Sequence, residues 1–256
     1  MWWPFRKKQV NEEKSDPNIE RVVNYAGNYV VSHLEKQGLI SLYVAGTILT
    51  SDRTPLSDID LFGIVKDNFD FEIEKTINDE FKHQRDTLCD GFSIKFRAIP
   101  LESLKGGEQK GAIQYFNPSL FVKKIPFFKL FWGEKLNPDT DFDVQPLSLK
   151  EEAEHLIKQV KYGIIDLRGE REKFHYWDFP KKVLELIAVE AQHDYNFKYN
   201  PSYKKLANHL RKKKDHLVHK AIQLRYNPDT TRQDILNFCN DTELYVQDLQ
   251  NRMAEW

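Results

Sequence analysis

Two short apolar runs flanking a polar turn constrain the fold of this chain more than any other feature. Leu39 to Ala45 runs into Gly46-Thr47, and Ile59 to Val65 begins inside Ser57-Asp58-Ile59-Asp60. Runs this short, apolar and bounded by glycine or polar residues are expected to be buried strands. Ten residues separate Thr47 from Asp58. Asp58 and Asp60 lie two apart, so on a strand both side chains project from one face. Crowded carboxylates repel each other unless a cation bridges them. Hard oxygen ligands of this kind suit magnesium, which favours one or two carboxylates completed by water and substrate phosphates. Gly46 would let the backbone approach a phosphate closely, and the Thr47 hydroxyl and nearby amides are donors. The competing explanation is an aspartate pair that caps exposed amides at a strand end.

The surrounding periodicity predicts a mixed α/β unit followed by an all-helical one. Asp16-Pro17 marks a helix start, with Val22, Val23, Ala26, Val30 and Leu34 at helical spacing and Gly38 as the stop. Phe69, Ile73, Ile77 and Phe81 would share a helix face, and Phe92 to Ile99 alternates as a half-buried strand. Pro100 to Ala112 is expected to be a loop, and 113–134 an aromatic stretch broken by Pro118 and Pro126. Ser148 to Glu151 is a capping box. Helices are expected behind it and at about 180–195, 203–225 and 231–253. The domains expected are a lead-in at 1–16, an α+β domain at 17–135 and a helical domain at 148–256.

Gly46-Thr47 followed by Ser57-Asp58-Ile59-Asp60 resembles the signature of the nucleotidyltransferase superfamily related to DNA polymerase beta. The element order over 17–100 matches as well. The helical second half resembles, in architecture alone, the partner domain of small-molecule nucleotidyltransferases such as the aminoglycoside-modifying enzymes. The resemblance implies an α+β fold, with a mixed sheet and flanking helices, joined to an all-helical domain. It also implies a magnesium-dependent transfer of a nucleoside monophosphate from a nucleoside triphosphate such as ATP to a hydroxyl, with release of pyrophosphate. On that resemblance Gly46 and Thr47 contact the triphosphate, Ser57 orients the site, and Asp58 and Asp60 are catalytic and bind metal. The acceptor stays open among a small molecule, RNA and a protein hydroxyl. With 38 Lys and Arg against 39 Asp and Glu, the net charge of −1 favours the small molecule.

One departure stands out. The family usually carries a third carboxylate on the next strand, where this chain has Ser93, Lys95 and Arg97. Three outcomes follow: the enzyme holds one metal on the two carboxylates alone, the helical half lends an acid, Glu185 and Glu190 being candidates, or the protein binds nucleotide without transferring it. Asp90, next to Gly91, is expected to be a turn residue.

Other features carry less. His209, His216 and His219 lie near a cationic run that would repel a metal, and they are expected on a solvated face. The same run, with Lys204, Lys205, Lys220 and Arg225, offers phosphate contacts. Arg168 and His175 fit a loose ribonuclease-toxin spacing. Tyr176-Trp177-Asp178 would line an acceptor pocket or pack at a helix corner. Trp2 and Trp3 are expected in a loosely held tail. Cys89 and Cys239 are too few for a disulfide framework, which points to a reducing cytoplasm. No stretch approaches the ~20 apolar residues of a membrane span.

Overall fold

The computed structural model describes residues 17–50, 52–54, 57–110, 117–169 and 176–256. The lead-in with Trp2 and Trp3, and His175, lie outside these. Helix α1 (Pro17–Leu34) has proline in its first turn and buries Val22, Val23, Ala26, Val30 and Leu34 along one stripe. The chain turns at Gly38, whose φ of 96° is the left-handed conformation glycine adopts without strain. Strands β1 (Leu39–Ala45) and β2 (Ile59–Val65) follow, then α2 (Phe71–His83) and β3 (Ile94–Pro100). Next come α3 (Leu101–Leu104), α4 (Pro118–Lys124), β4 (Lys129–Gly133) and α5 (Pro138–Asp141). The second half holds α6 (Leu149–Arg168), α7 (Phe179–Asp194), α8 (Tyr203–His209), α9 (Val218–Tyr226) and α10 (Arg232–Arg252).

The four strands form one sheet in the order β3-β2-β1-β4. β1 pairs antiparallel with β2 and with β4, while β2 and β3 run parallel. Register fixes what matters later: Ala45 lies opposite Asp60, Asp60 opposite Lys95, and Phe62 opposite Arg97. Because side chains alternate along a strand, Asp60, Phe62, Lys95 and Arg97 share one face of the sheet.

Among the described residues, three apolar clusters form the core. One face of the sheet packs Leu42, Leu61 and Phe96 against Val22 and Val30 of α1 and Phe81 of α2. The other face gathers Tyr43, Phe62 and Ile64 with Phe121 and Phe142. The third is wholly helical, from Ala153 through Phe238 to Met253. Each fully buried side chain of this size contributes about 1.5–3 kcal/mol. Packing of α1 on β4 is so close that a Cβ at Gly27 would fall 2.3 Å from the Phe131 ring.

The outer edge of β3 is covered by side chains of α2. Asn78 donates to the Phe96 carbonyl at 2.9 Å and accepts from the Phe96 N–H at 2.8 Å, and Glu74 accepts from the Ala98 N–H at 2.9 Å.

The capping box at Ser148 and Glu151 forms as the spacing predicts, and Thr231 with Asp234 forms a second one on α10. Three expectations fail. Regular elements α3, α4 and β4 occupy stretches expected to be loop or irregular. β4 is half-exposed along its length, so no alternation marks it. The expected helix over 203–225 is two helices, because Arg211 to Lys214 form successive turns instead, which spares four like charges a shared helical surface. Cys89 and Cys239 are free and buried. No helix among the described residues is long and apolar enough to cross a membrane.

Candidate active site

A cleft of about 440 Å³ lies where the sheet meets the helical region. From the sheet side come Gly46, Thr47, Arg53, Thr54, Ser57, Asp58 and Asp60; from the helical side come Trp177, Asp178, Lys181, Arg225 and Tyr226. All five site residues expected from the sequence therefore converge on one cavity.

Local geometry explains why. Gly46 has φ 95°, a conformation that strains any other residue, and a Cβ there would stand 3.3 Å from Asp60 Oδ2. The Thr47 and Ser57 hydroxyls share a hydrogen bond of 3.0 Å, and Ser57 Oγ accepts from the Thr54 N–H at 2.8 Å. Ser57 thus closes the loop between the two strands and holds Asp58 in place. The tip of this loop docks on the helical region: buried Asp52 accepts from the Lys204 N–H at 3.1 Å through Oδ1, and its carbonyl accepts from Tyr226 Oη at 3.2 Å. Burial, helped by nearby Asp52, raises the Tyr226 pKa, so the phenol stays a neutral donor.

The two aspartates do not face each other bare. Lys95 Nζ pairs with Asp58, and Arg97 Nη1 lies 2.9 Å from Asp60 Oδ1 while its guanidinium stands over the Phe62 ring. The strand that departs from the family pattern therefore lies on the face of the aspartates, and gives each its own cation. Across the cleft, the Arg225 guanidinium lies over the rings of Tyr203 and Tyr226 at 5.4 and 5.7 Å. Lys181 adds a cation on that side and Arg53 one on the side of the aspartates.

Asp58 and Asp60 suffice for one magnesium ion completed by water and phosphates. No group of three or more His, Cys, Asp or Glu side chains among the described residues converges as a metal holder. A second divalent ion near the Lys95 ammonium would meet several kcal/mol of repulsion even at an effective dielectric near 20. The two aspartates fit one ion, once Lys95 and Arg97 are displaced from them, and not two.

Neither helical glutamate reaches the cleft. Glu185 faces a separate groove beside Lys182, and Glu190 is buried on Arg252, His216 and Tyr245. The helical carboxylate that does line the cleft is Asp178, beside Trp177. The sequence signal for it was an aromatic-acidic triplet ahead of Pro180. His216 is a buried partner of Glu190 rather than part of a solvated face. His209 and His219 bond to the carbonyls of Tyr195 and Lys213. Arg168 is held by Glu243 and Asn240. Asp90 has φ 50° in a turn and pairs with Arg21.

No family model matches the sequence, and no curated protein does. Solved structures do. Spectinomycin adenyltransferase AAD(9) from Enterococcus faecialis, determined with ATP and spectinomycin, superposes with a TM-score of 0.57 at 13% identity. The match covers 89% of this chain and 99% of that one. The fold is a nucleotidyltransferase fold. At this identity the nucleotidyltransferase likeness speaks for architecture, a mixed sheet with flanking helices and a helical C-terminal region.

Proposed function

We propose that this protein transfers a nucleoside monophosphate from a nucleoside triphosphate, ATP among them, to a hydroxyl acceptor. The observation that carries this is the convergence of Gly46, Thr47, Asp58 and Asp60 with Lys181 and Arg225 on one cleft. An aspartate pair with Arg53, Lys181 and Arg225 around the same cleft suits a magnesium-bound triphosphate. In this reading 17–135 is the nucleotidyltransferase-like domain, 148–256 the helical domain, and the compartment a reducing cytoplasm.

Asp58 and Asp60 would hold magnesium, whose charge would offset that of the phosphates and of the departing pyrophosphate. Gly46 admits the triphosphate close to the backbone, and the Thr47 hydroxyl donates to it. Lys181 and Arg225 bear on the leaving group, and Trp177 offers a flat face to a base. The acceptor oxygen bonds to the α-phosphorus, the α–β anhydride bond breaks, and pyrophosphate leaves with the bonding pair. The hydroxyl proton passes to a cleft carboxylate, for which Asp178 is our assignment.

The Lys95 and Arg97 pairs motivate a second reading, binding without transfer. Magnitudes favour transfer. Lys95 is 48% exposed and Asp58 33%, and ion pairs this open are worth about 0–1 kcal/mol. A magnesium-triphosphate complex can displace them.

Calorimetry with ATP, CTP, GTP and UTP, with and without magnesium, tests the binding, and pyrophosphate release with candidate acceptors tests the transfer. Asp58→Ala with Asp60→Ala should abolish magnesium-dependent binding and cut turnover by at least ~10²–10³-fold. Wild-type behaviour in that variant refutes the assignment. Binding without pyrophosphate release from any acceptor supports the second reading.

A further inference from the structure

A groove of about 1280 Å³, larger than the cleft, runs along the edge of β3. Strand β3 and helix α2 wall one side; α4, α6 and α7 wall the other. In a chain of net charge −1, eight Lys and Arg side chains line this groove against three carboxylates. Two of those carboxylates are already engaged, Glu74 with the Ala98 N–H and Glu185 with Lys182. Of the eight, Lys82, Arg85 and Lys124 stand within 4 Å of no carboxylate among the described residues, though Arg85 Nε donates to the Gly91 carbonyl at 3.1 Å and Lys124 acts on Glu185 from further off. On the α6–α7 wall the His155 pKa is lowered by burial first, then by Lys182 of the groove and Lys158 outside it. Half-buried Phe71, Phe92 and Phe128 interrupt the cations with aromatic surface.

We propose that this groove binds a single-stranded polynucleotide and presents its terminal hydroxyl as the acceptor. Its volume exceeds the ~300–1,000 Å³ of small-molecule sites. Cations that track a phosphate backbone, alternating with aromatic faces on which unpaired bases stack, are the recognition chemistry of single strands. A polycationic acceptor would be repelled here. Groove and cleft adjoin: Lys95 and Arg97 line the groove and pair with Asp58 and Asp60, while neighbouring Lys181 and Lys182 of α7 face the cleft and the groove. The acceptor role rests on the transferase reading, whereas the binding does not.

The test is fluorescence anisotropy of a labelled single-stranded RNA of about a dozen nucleotides, titrated with the full chain across salt concentrations. Wild-type protein should bind it with a steep salt dependence. Charge reversal at Lys82, Arg85 and Lys124 (K82E, R85E and K124E together) should weaken binding at least tenfold and lower the salt slope by about 2, at ~0.7 per phosphate contact. Replacing the same three with glutamine should give a smaller loss in the same direction. Both variants should bind magnesium-ATP as wild type does. Asp58→Asn with Asp60→Asn should lose ATP and keep RNA, so that failure of the transferase reading and failure of this one are told apart. No RNA binding at low salt, binding indifferent to charge reversal, or equal affinity for a duplex of the same length overturns the groove's role. Transfer of label from ATP to an aminoglycoside but not to the RNA overturns the acceptor role.

Discussion

Carboxylates meet cations in two regions of this molecule, with opposite consequences. At the cleft, Asp58 pairs with Lys95 and Asp60 with Arg97, and all four side chains are between a quarter and a half exposed. In the helical region Glu190 is 1% exposed and receives Tyr245 Oη at 2.6 Å, His216 Nε2 at 3.2 Å and Arg252 Nη2 at 2.5 Å. Burial alone would raise the Glu190 pKa, yet His216, Tyr245 and Arg252 together lower it. An open pair stays hydrated when parted and yields to a better ligand. A buried one leaves an orphaned charge when broken. The same chemistry thus makes an exchangeable site in one place and a fixed strut in the other.

That contrast can be broken by experiment. The largest effect is expected from Glu190→Ala, which should cost about 1–3 kcal/mol in denaturant unfolding for each of the Tyr245 hydroxyl and the His216 ring left without its acceptor, while Arg252 keeps Asp194 and Asp248. A cost near zero would erase the difference between the regions.

Acid should act next. Burial pushes the Glu185 pKa up, but Lys182, Lys124 and Lys181 more than reverse this and bring it down to about 2 from an ordinary 4.5. A carboxylate depressed in the folded state stabilises above its unfolded pKa, and loses that contribution as pH falls through the folded value. Thermal melts should therefore decline between about pH 4.5 and 2, by on the order of 3 kcal/mol at most. Glu185→Gln should flatten that decline; an unchanged profile would place the acid sensitivity elsewhere.

Asp58→Asn with Asp60→Asn is expected to stay within about 1 kcal/mol of wild type in urea, for exposed pairs contribute little. The smallest change should come from Lys95→Ala. Stability should move by no more than about 0.5 kcal/mol, while magnesium-ATP binding tightens as a competing cation is removed. Weaker binding in Lys95→Ala would mean that Lys95 holds the phosphates itself.

What the sequence made legible was local. Gly46, Thr47, Ser57, Asp58 and Asp60 fall within fifteen residues, so strand alternation and one tight turn suffice to gather them. Lys95 and Arg97 were legible as a departure, because the parallel register of β2 and β3 carries alternation across to them. Trp177, Asp178, Lys181 and Arg225 lie more than a hundred residues further on. They reach the cleft only through the packing of α7 and α9, which periodicity does not encode. Glu185 and Glu190 show the same limit. Both carboxylates belong to α7, yet helix rotation aims one at the groove and buries the other. Strand β4 escaped because its partner β1 is ninety residues upstream, and its half-exposed residues give no alternating pattern.

The cover that α2 lays over β3 has a consequence for assembly. A sheet edge with open amides and carbonyls is a template for another chain, and soluble proteins block such edges in specific ways. Here Asn78 imitates a neighbouring strand, filling both backbone positions of Phe96, and Glu74 fills that of Ala98. No incoming strand can zip onto this side without first prising two side chains away. The edge that borders the basic groove is thereby closed to self-association, even though the groove beside it is open.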